Sequence, residues 1–167
     1  MQLSISRILV PVDFSAHSEV ALQYAIALAS RLAASLHVLH VVEDPVATGA
    51  WGSEGVLPDL TELRSELVAD AERRLLAYRG EAERARVPVV TTAQMGLTSN
   101  TIVEYARALD IDLIVMGTHG RTGVAHLFMG SVAERVLRHA PCPVLTVRAG
   151  ARGQEAHEAP SRAPSRK

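Results

Sequence analysis

The stretch ILVPVDFSAHSEVALQYAIALASRLAASLHVLHVV, from Ile8 to Val42, decides the fold. Its first part, ILVPVD over 8–13, is short, apolar and without polar alternation. Strands buried on both faces of a parallel sheet have this pattern. From Ser15 to Ala34 the residues Val20, Tyr24, Ala27, Leu28 and Leu32 recur at helical spacing. Ser15 is a candidate N-cap, because its hydroxyl can accept from an orphan amide of the first turn. LHVLHVV, Leu36 to Val42, is a second strand. The opening is therefore β-α-β, whose natural product is a parallel pair joined by a helix.

The same alternation continues. Residues 43–58 are rich in turn formers and longer than an ordinary connection, so they are read as a lid or an interaction loop. Asp59 and Glu62 have the form of a capping box. The stripe Leu60, Leu63, Leu67, Ala71, Leu75 and Tyr78 predicts a helix to about Arg79, with Gly80 as a break and the Glu- and Arg-rich face in solvent. Val87–Met95 is a third strand, Thr98–Leu109 a helix, Ile111–Gly117 a fourth strand, Ser131–His139 a helix and Pro143–Arg148 a fifth strand. Five strands alternating with four helices predict an α/β fold: one open, parallel, Rossmann-like sheet with helices on both faces. Residues 1–148 form the expected domain. Residues 149–167 lose large apolar side chains, repeat APSR, and are expected to be disordered.

Composition narrows the function. At 167 residues and 48% apolar, the chain has material for one core. A net charge of −1 argues against a nucleic-acid binder or a polybasic membrane anchor. No apolar run approaches the ~20 residues of a spanning helix. The N-terminus has no leader pattern, and the single thiol, Cys142, permits no internal disulfide. A cytoplasmic location is expected.

The chemistry concentrates in VMGTHGRTGVAHLFMGSVAERVL, Val115 to Leu137. Gly117 and Gly120 follow a strand, and Gly130-Ser131 opens a helix. Glycines let backbone amides approach a ligand, and a helix start favours an anion. Strand, glycine loop and helix start make a phosphate cradle. The competing reading is structural: Ser131-x-x-Glu134 is a capping box, and the glycines serve turns. A Walker A loop is excluded because it needs a lysine, and the only one is Lys167. The dinucleotide GxGxxG is missing after strand one.

PVDFS, the HVV ending of strand two, and VMGTHGRTG…MGSVAERVL…CPVLTVR together resemble the universal stress protein family, over about residues 4–148. The G-2x-G-9x-G-S spacing resembles its ATP-binding branch. The resemblance implies strand order 3-2-1-4-5 and an ATP site. Pro11, Val12 and Asp13 would border the adenosine, and Val41 the adenine. Met116 and Gly117 would line the pocket, and Gly120, Gly130, Ser131 and Val132 would hold the phosphates. Whether Mg²⁺ or Mn²⁺ accompanies them is left open. The GLTSN segment at Gly96 departs from relatives with Pro two residues after the glycine.

Four further residue groups carry readings from their own chemistry. Asp13 is read as a ligand acceptor or as the cap of the turn into helix one. Arg121 is read as a phosphate contact or a solvated loop residue, as are His119 and His126. His37 and His40, three apart on a strand, point to opposite faces and cannot share a metal. Cys142 reads as a structural thiol. No catalytic set is legible, so ATP hydrolysis is expected to be slow or absent. Strand five ends the ordered chain at a sheet edge, which is a pairing hazard unless covered. A homodimer through Val144–Arg148 is expected, matching the family resemblance. The alternatives are a nucleotide-independent dimeric interaction module and a weak ATPase.

Overall fold

The computed structural model describes residues 4–44, 60–119 and 129–148. Within them the order is β1 (Arg7–Pro11), α1 (Ala16–Leu32), β2 (Ser35–Val42), α2 (Thr61–Arg84), β3 (Val89–Met95), α3 (Thr98–Ala108), β4 (Leu113–Gly117), α4 (Ser131–His139) and β5 (Val144–Val147). The strands form one sheet in the order β3-β2-β1-β4-β5, with every pair parallel. The architecture is the one the sequence predicts. The predicted lid or loop over 43–58, the Asp59 cap and the tail lie wholly or mostly outside the described residues.

The unbroken apolar strands have a direct cause. Ile8 and Val10 of β1 point into one core with Leu22 and Ala25 of α1 and Leu75 and Tyr78 of α2. Leu9, between them, points into a second core with Leu39, Ile114, Ile102 of α3 and Val136 of α4. Alternate residues thus meet helices on opposite faces, and neither face is left to water. Trimming a fully buried Leu9 or Leu22 to Ala would cost about 2–5 kcal/mol.

Ser15 caps α1 as expected, its Oγ accepting from Ser18 N at 3.3 Å. Two helix expectations are corrected. α2 runs through Gly80 to Arg84, because Leu75, Tyr78 and Ala82 are all buried and hold the helix on the sheet. That packing outweighs the ~1 kcal/mol that a mid-helix glycine costs. The turn comes later, where Arg86 takes φ 57° and Val87 N returns to Ala82 O at 3.0 Å. α4 begins at Ser131 as predicted, but its N-cap is Gly130, and no side-chain cap forms. Ser131 is the first helical residue, so the capping-box reading does not hold.

Candidate functional site

A cavity of about 530 Å³ opens at the carboxyl ends of the strands. It lies where β1 has β2 on one side and β4 on the other, with crossovers departing to opposite faces. Open α/β sheets bind ligands at such a reversal. Pro11, Val12 and Asp13 line it from β1, Val41 from β2, Met116 and Gly117 from β4, and Gly130, Ser131 and Val132 from the start of α4. Every predicted site residue that is described therefore faces one cavity. Gly120 and Arg121, with His126, lie outside the described residues.

The β1 end is built on a tight turn. Asp13 Oδ1 accepts from Ser15 N at 3.1 Å and from Ser15 Oγ at 2.6 Å, an Asx turn that hands the chain to the α1 cap. Asp13 thus serves the turn, as its capping reading expected, and it also lines the cavity. Between them Phe14 sits at φ 62°, a conformation that strains a bulky residue by about 1–3 kcal/mol. Aromatic packing holds it there. Its ring lies 4.3 Å from the His40 ring and 5.7 Å from the Tyr78 ring, centroid to centroid. Arg74 Cζ of α2 lies 3.8 Å above the ring centroid. His40 is buried, and its Nδ1 donates to Val12 O at 2.7 Å, which fixes the tautomer and the strand end. Burial, with the Glu19 carboxylate beside it, pushes the Tyr78 hydroxyl up to about 12.

At the other end the two glycines differ in what surrounds them. A Cβ on Gly117 would stand 3.0 Å from His17 O, 3.1 Å from His17 C and 3.2 Å from His119 O. Its missing side chain therefore admits the protein's own backbone. Among the described residues, a Cβ on Gly130 would meet only Thr118 O at 3.4 Å and His119 Cα at 3.7 Å. Gly130 N donates to Thr118 O at 2.8 Å, tying α4 to the end of β4. The first intrahelical bond runs from Glu134 N to Gly130 O. The amides of Ser131, Val132 and Ala133 accordingly have no intrahelical acceptor, and all three residues line the cavity. Such a helix start binds anions.

The sequence reading missed the α2 wall, which brings Leu67, Asp70, Ala71 and Arg74 to the cavity, and the pair Glu43 and Thr98, joined at 2.8 Å. By sequence Arg74 belongs to the Glu- and Arg-rich face of α2 expected in solvent. The signal for it was its place beside the apolar stripe, one helical turn before Tyr78. His37 and His40 do point to opposite sides, His37 Nδ1 meeting Tyr105 Oη of α3 at 3.2 Å. Cys142 is half-buried against the second core, and burial, then the Asp112 carboxylate, push its thiol upward. Among the described residues, no group of three or more His, Cys, Asp or Glu is placed to hold a metal ion. No described helix is long and apolar enough to cross a membrane.

Comparison with known proteins agrees with this geometry. The model of the universal stress protein family matches residues 4–148. A universal stress protein of Methanocaldococcus jannaschii is 37% identical over 148 residues, covering 85% of this chain and 81% of that protein. The solved UspA of Lactobacillus plantarum superposes with a TM-score of 0.73 at 32% identity, covering 88% of this chain and 100% of that one. Two more distant folds carry nucleotides. One is a universal stress protein in complex with cAMP (TM-score 0.65, 22% identity, 86% and 97% of the two chains). The other is the Archaeoglobus fulgidus protein with dAMP (0.59, 20%, 87% and 98%). With the glycine motif, the sheet order and the cavity all in agreement, the chain belongs to the universal stress protein family.

Proposed function

We propose that this chain is a cytoplasmic stress-response protein that binds ATP in the cavity at the β1/β4 reversal and acts as a regulatory homodimer. The observation that carries this reading is the convergence on one cavity of residues chosen from sequence alone, from β1, β2, β4 and α4. The α4 amides fit phosphate oxygens, and the room beside Gly130 lets a phosphate approach them. Val41 and Met116, both largely buried, offer apolar surface to a base. The distant relatives solved with cAMP and dAMP support an adenine nucleotide as the ligand class. Any ATP hydrolysis is expected to be slow, since no residue set for activating water was legible in the sequence.

The test is thermal unfolding with ATP, ADP and AMP, each with and without Mg²⁺ or Mn²⁺. A ligand at about a hundred times its Kd adds about 2.7 kcal/mol to the folded state. A concentration-dependent rise with ATP is expected. No rise with any of the three at millimolar concentration would overturn the proposal in favour of a nucleotide-independent interaction module.

The dimer is proposed through β5, the edge strand beside β4. Val147 is buried in its own subunit's core and Leu145 is 39% exposed, so Leu145 is the apolar side chain that a partner strand would cover.

A further inference from the structure

We propose that Arg74, seated on Phe14, is a ligand-contacting residue of the nucleoside end of the cavity, and that Phe14 is the platform that positions it. This inference rests on the nucleotide reading above and assigns a residue to it that the glycine motif does not include.

Four observations converge. Arg74 lines the cavity, and among the described lining residues it is the only arginine or lysine. Its guanidinium has no carboxylate within ion-pair distance among the described residues, whereas its neighbour Arg73 is paired with Asp70 at 3.2 Å. Its position is set by the ring beneath it at 3.8 Å. That ring is itself held at a strained backbone position by His40 and Tyr78. Strained residues beside a cavity mark places where the fold maintains a geometry for a purpose.

Topology says which end of the ligand Arg74 meets. α2 packs over β2 and β3, on the far side of β1 from β4 and the α4 cradle. Leu67 and Ala71 of α2 line the cavity with Arg74, as does the apolar Val41 of β2. Asp70 of α2 and Glu43, just past the end of β2, also line the cavity, and carboxylates there disfavour a polyphosphate. A planar guanidinium between apolar walls suits a base or ribose, which it meets with its plane and its N–H edge. Phosphates stay on the α4 amides.

Isothermal titration with adenosine, AMP and ATP, on the parent chain and on Arg74→Met and Arg74→Lys, tests this. Arg74→Met is expected to weaken all three ligands by the same factor, about ten-fold. Arg74→Lys is expected not to restore the affinity, because lysine keeps the charge and loses the plane. Phe14→Leu, which leaves Arg74 but removes its platform, should reproduce the Arg74→Met loss for all three ligands. Unchanged affinities in Arg74→Met would overturn the inference while leaving the nucleotide reading intact. A loss that grows from adenosine to ATP and is rescued by lysine would also overturn it, making Arg74 a phosphate counter-charge. A parent that binds none of the three would overturn the nucleotide reading itself, and this inference with it.

Discussion

Gly117 and Gly130 belong to one motif, yet their surroundings predict opposite consequences for substitution. In Gly117→Ala the new methyl would lie 3.0–3.2 Å from backbone atoms of His17 and His119. Those atoms belong to the first turn of α1 and to the chain leaving β4, so neither can swing aside as a side-chain tip would. Overpacking of this kind costs about 1–3 kcal/mol. Reduced freedom of the unfolded chain returns about 0.4–1 kcal/mol. A net loss of about 1–2 kcal/mol lowers Tm by roughly 2–8 °C in a domain of this size. Gly130 has φ −74° and ψ 152°, extended backbone open to any residue, and among the described residues the nearest neighbour of an added Cβ would be 3.4 Å away. For Gly130→Val the poorer N-cap costs about 1 kcal/mol and the unfolded-state term offsets most of it. Its Tm should stay within about 3 °C of the parent. The nucleotide response should reverse the order. Gly117→Ala keeps an ATP-induced rise in Tm, because its clash is with the protein, while Gly130→Val loses it. Scanning fluorimetry with and without ATP reads both quantities. A Gly117→Ala chain as stable as the parent, or a Gly130→Val chain with the full ATP rise, would refute this division of roles.

Other outcomes are equally specific. Ser131→Ala should leave stability within about 0.5 kcal/mol of the parent, because Ser131 is not the cap, and should weaken ATP binding; urea unfolding and titration check the two halves. His37 is held below its ordinary value, by burial first and then by the Arg7 charge, so the unfolded chain takes up more protons than the folded one. Its contribution to stability is present above about pH 6.5 and is lost as pH falls toward the lower folded value, so His37→Gln should flatten the fall in Tm between about pH 7 and 5. The raised thiol of Cys142 should react with a thiol-specific reagent more slowly at pH 7 than free cysteine, and reach it on unfolding. By light scattering the parent should have dimer mass and Leu145→Lys monomer mass at the same concentration; a monomeric parent, or a variant that stays dimeric on dilution, would remove the β5 interface.

Much of the fold was legible because burial on both faces writes itself as uninterrupted apolar runs. Ile8–Val10, Leu36–Val42 and Ile114–Met116 needed no partner residue to be recognised. Helix ends were harder to read. α1, α2 and α3 are followed by residues at positive φ, namely Ala33, Arg86 and Asp110, none of them glycine. The one glycine inside α2, Gly80, lies where the helix continues. A stop read from glycine therefore fell too early, since tertiary packing of Tyr78 and Ala82 sets that boundary. The site divides in the same way. Gly130, Ser131 and the β1 turn are local signals, readable from spacing. Arg74 is recognisable only once α2 lies over β2 and brings it to Phe14, sixty positions away. His40 likewise reads as a strand residue in the sequence, and only the fold shows its bond to Val12 O and its tilted ring contact with Phe14.

The most direct measurement is a crystal structure of the chain grown with ATP. Density is expected in the β1/β4 cavity, with phosphate oxygens within hydrogen-bond distance of the Ser131 and Val132 amides and the base between Val41 and the α2 wall. An empty cavity at millimolar ATP, or a nucleotide bound elsewhere on the chain, would contradict it.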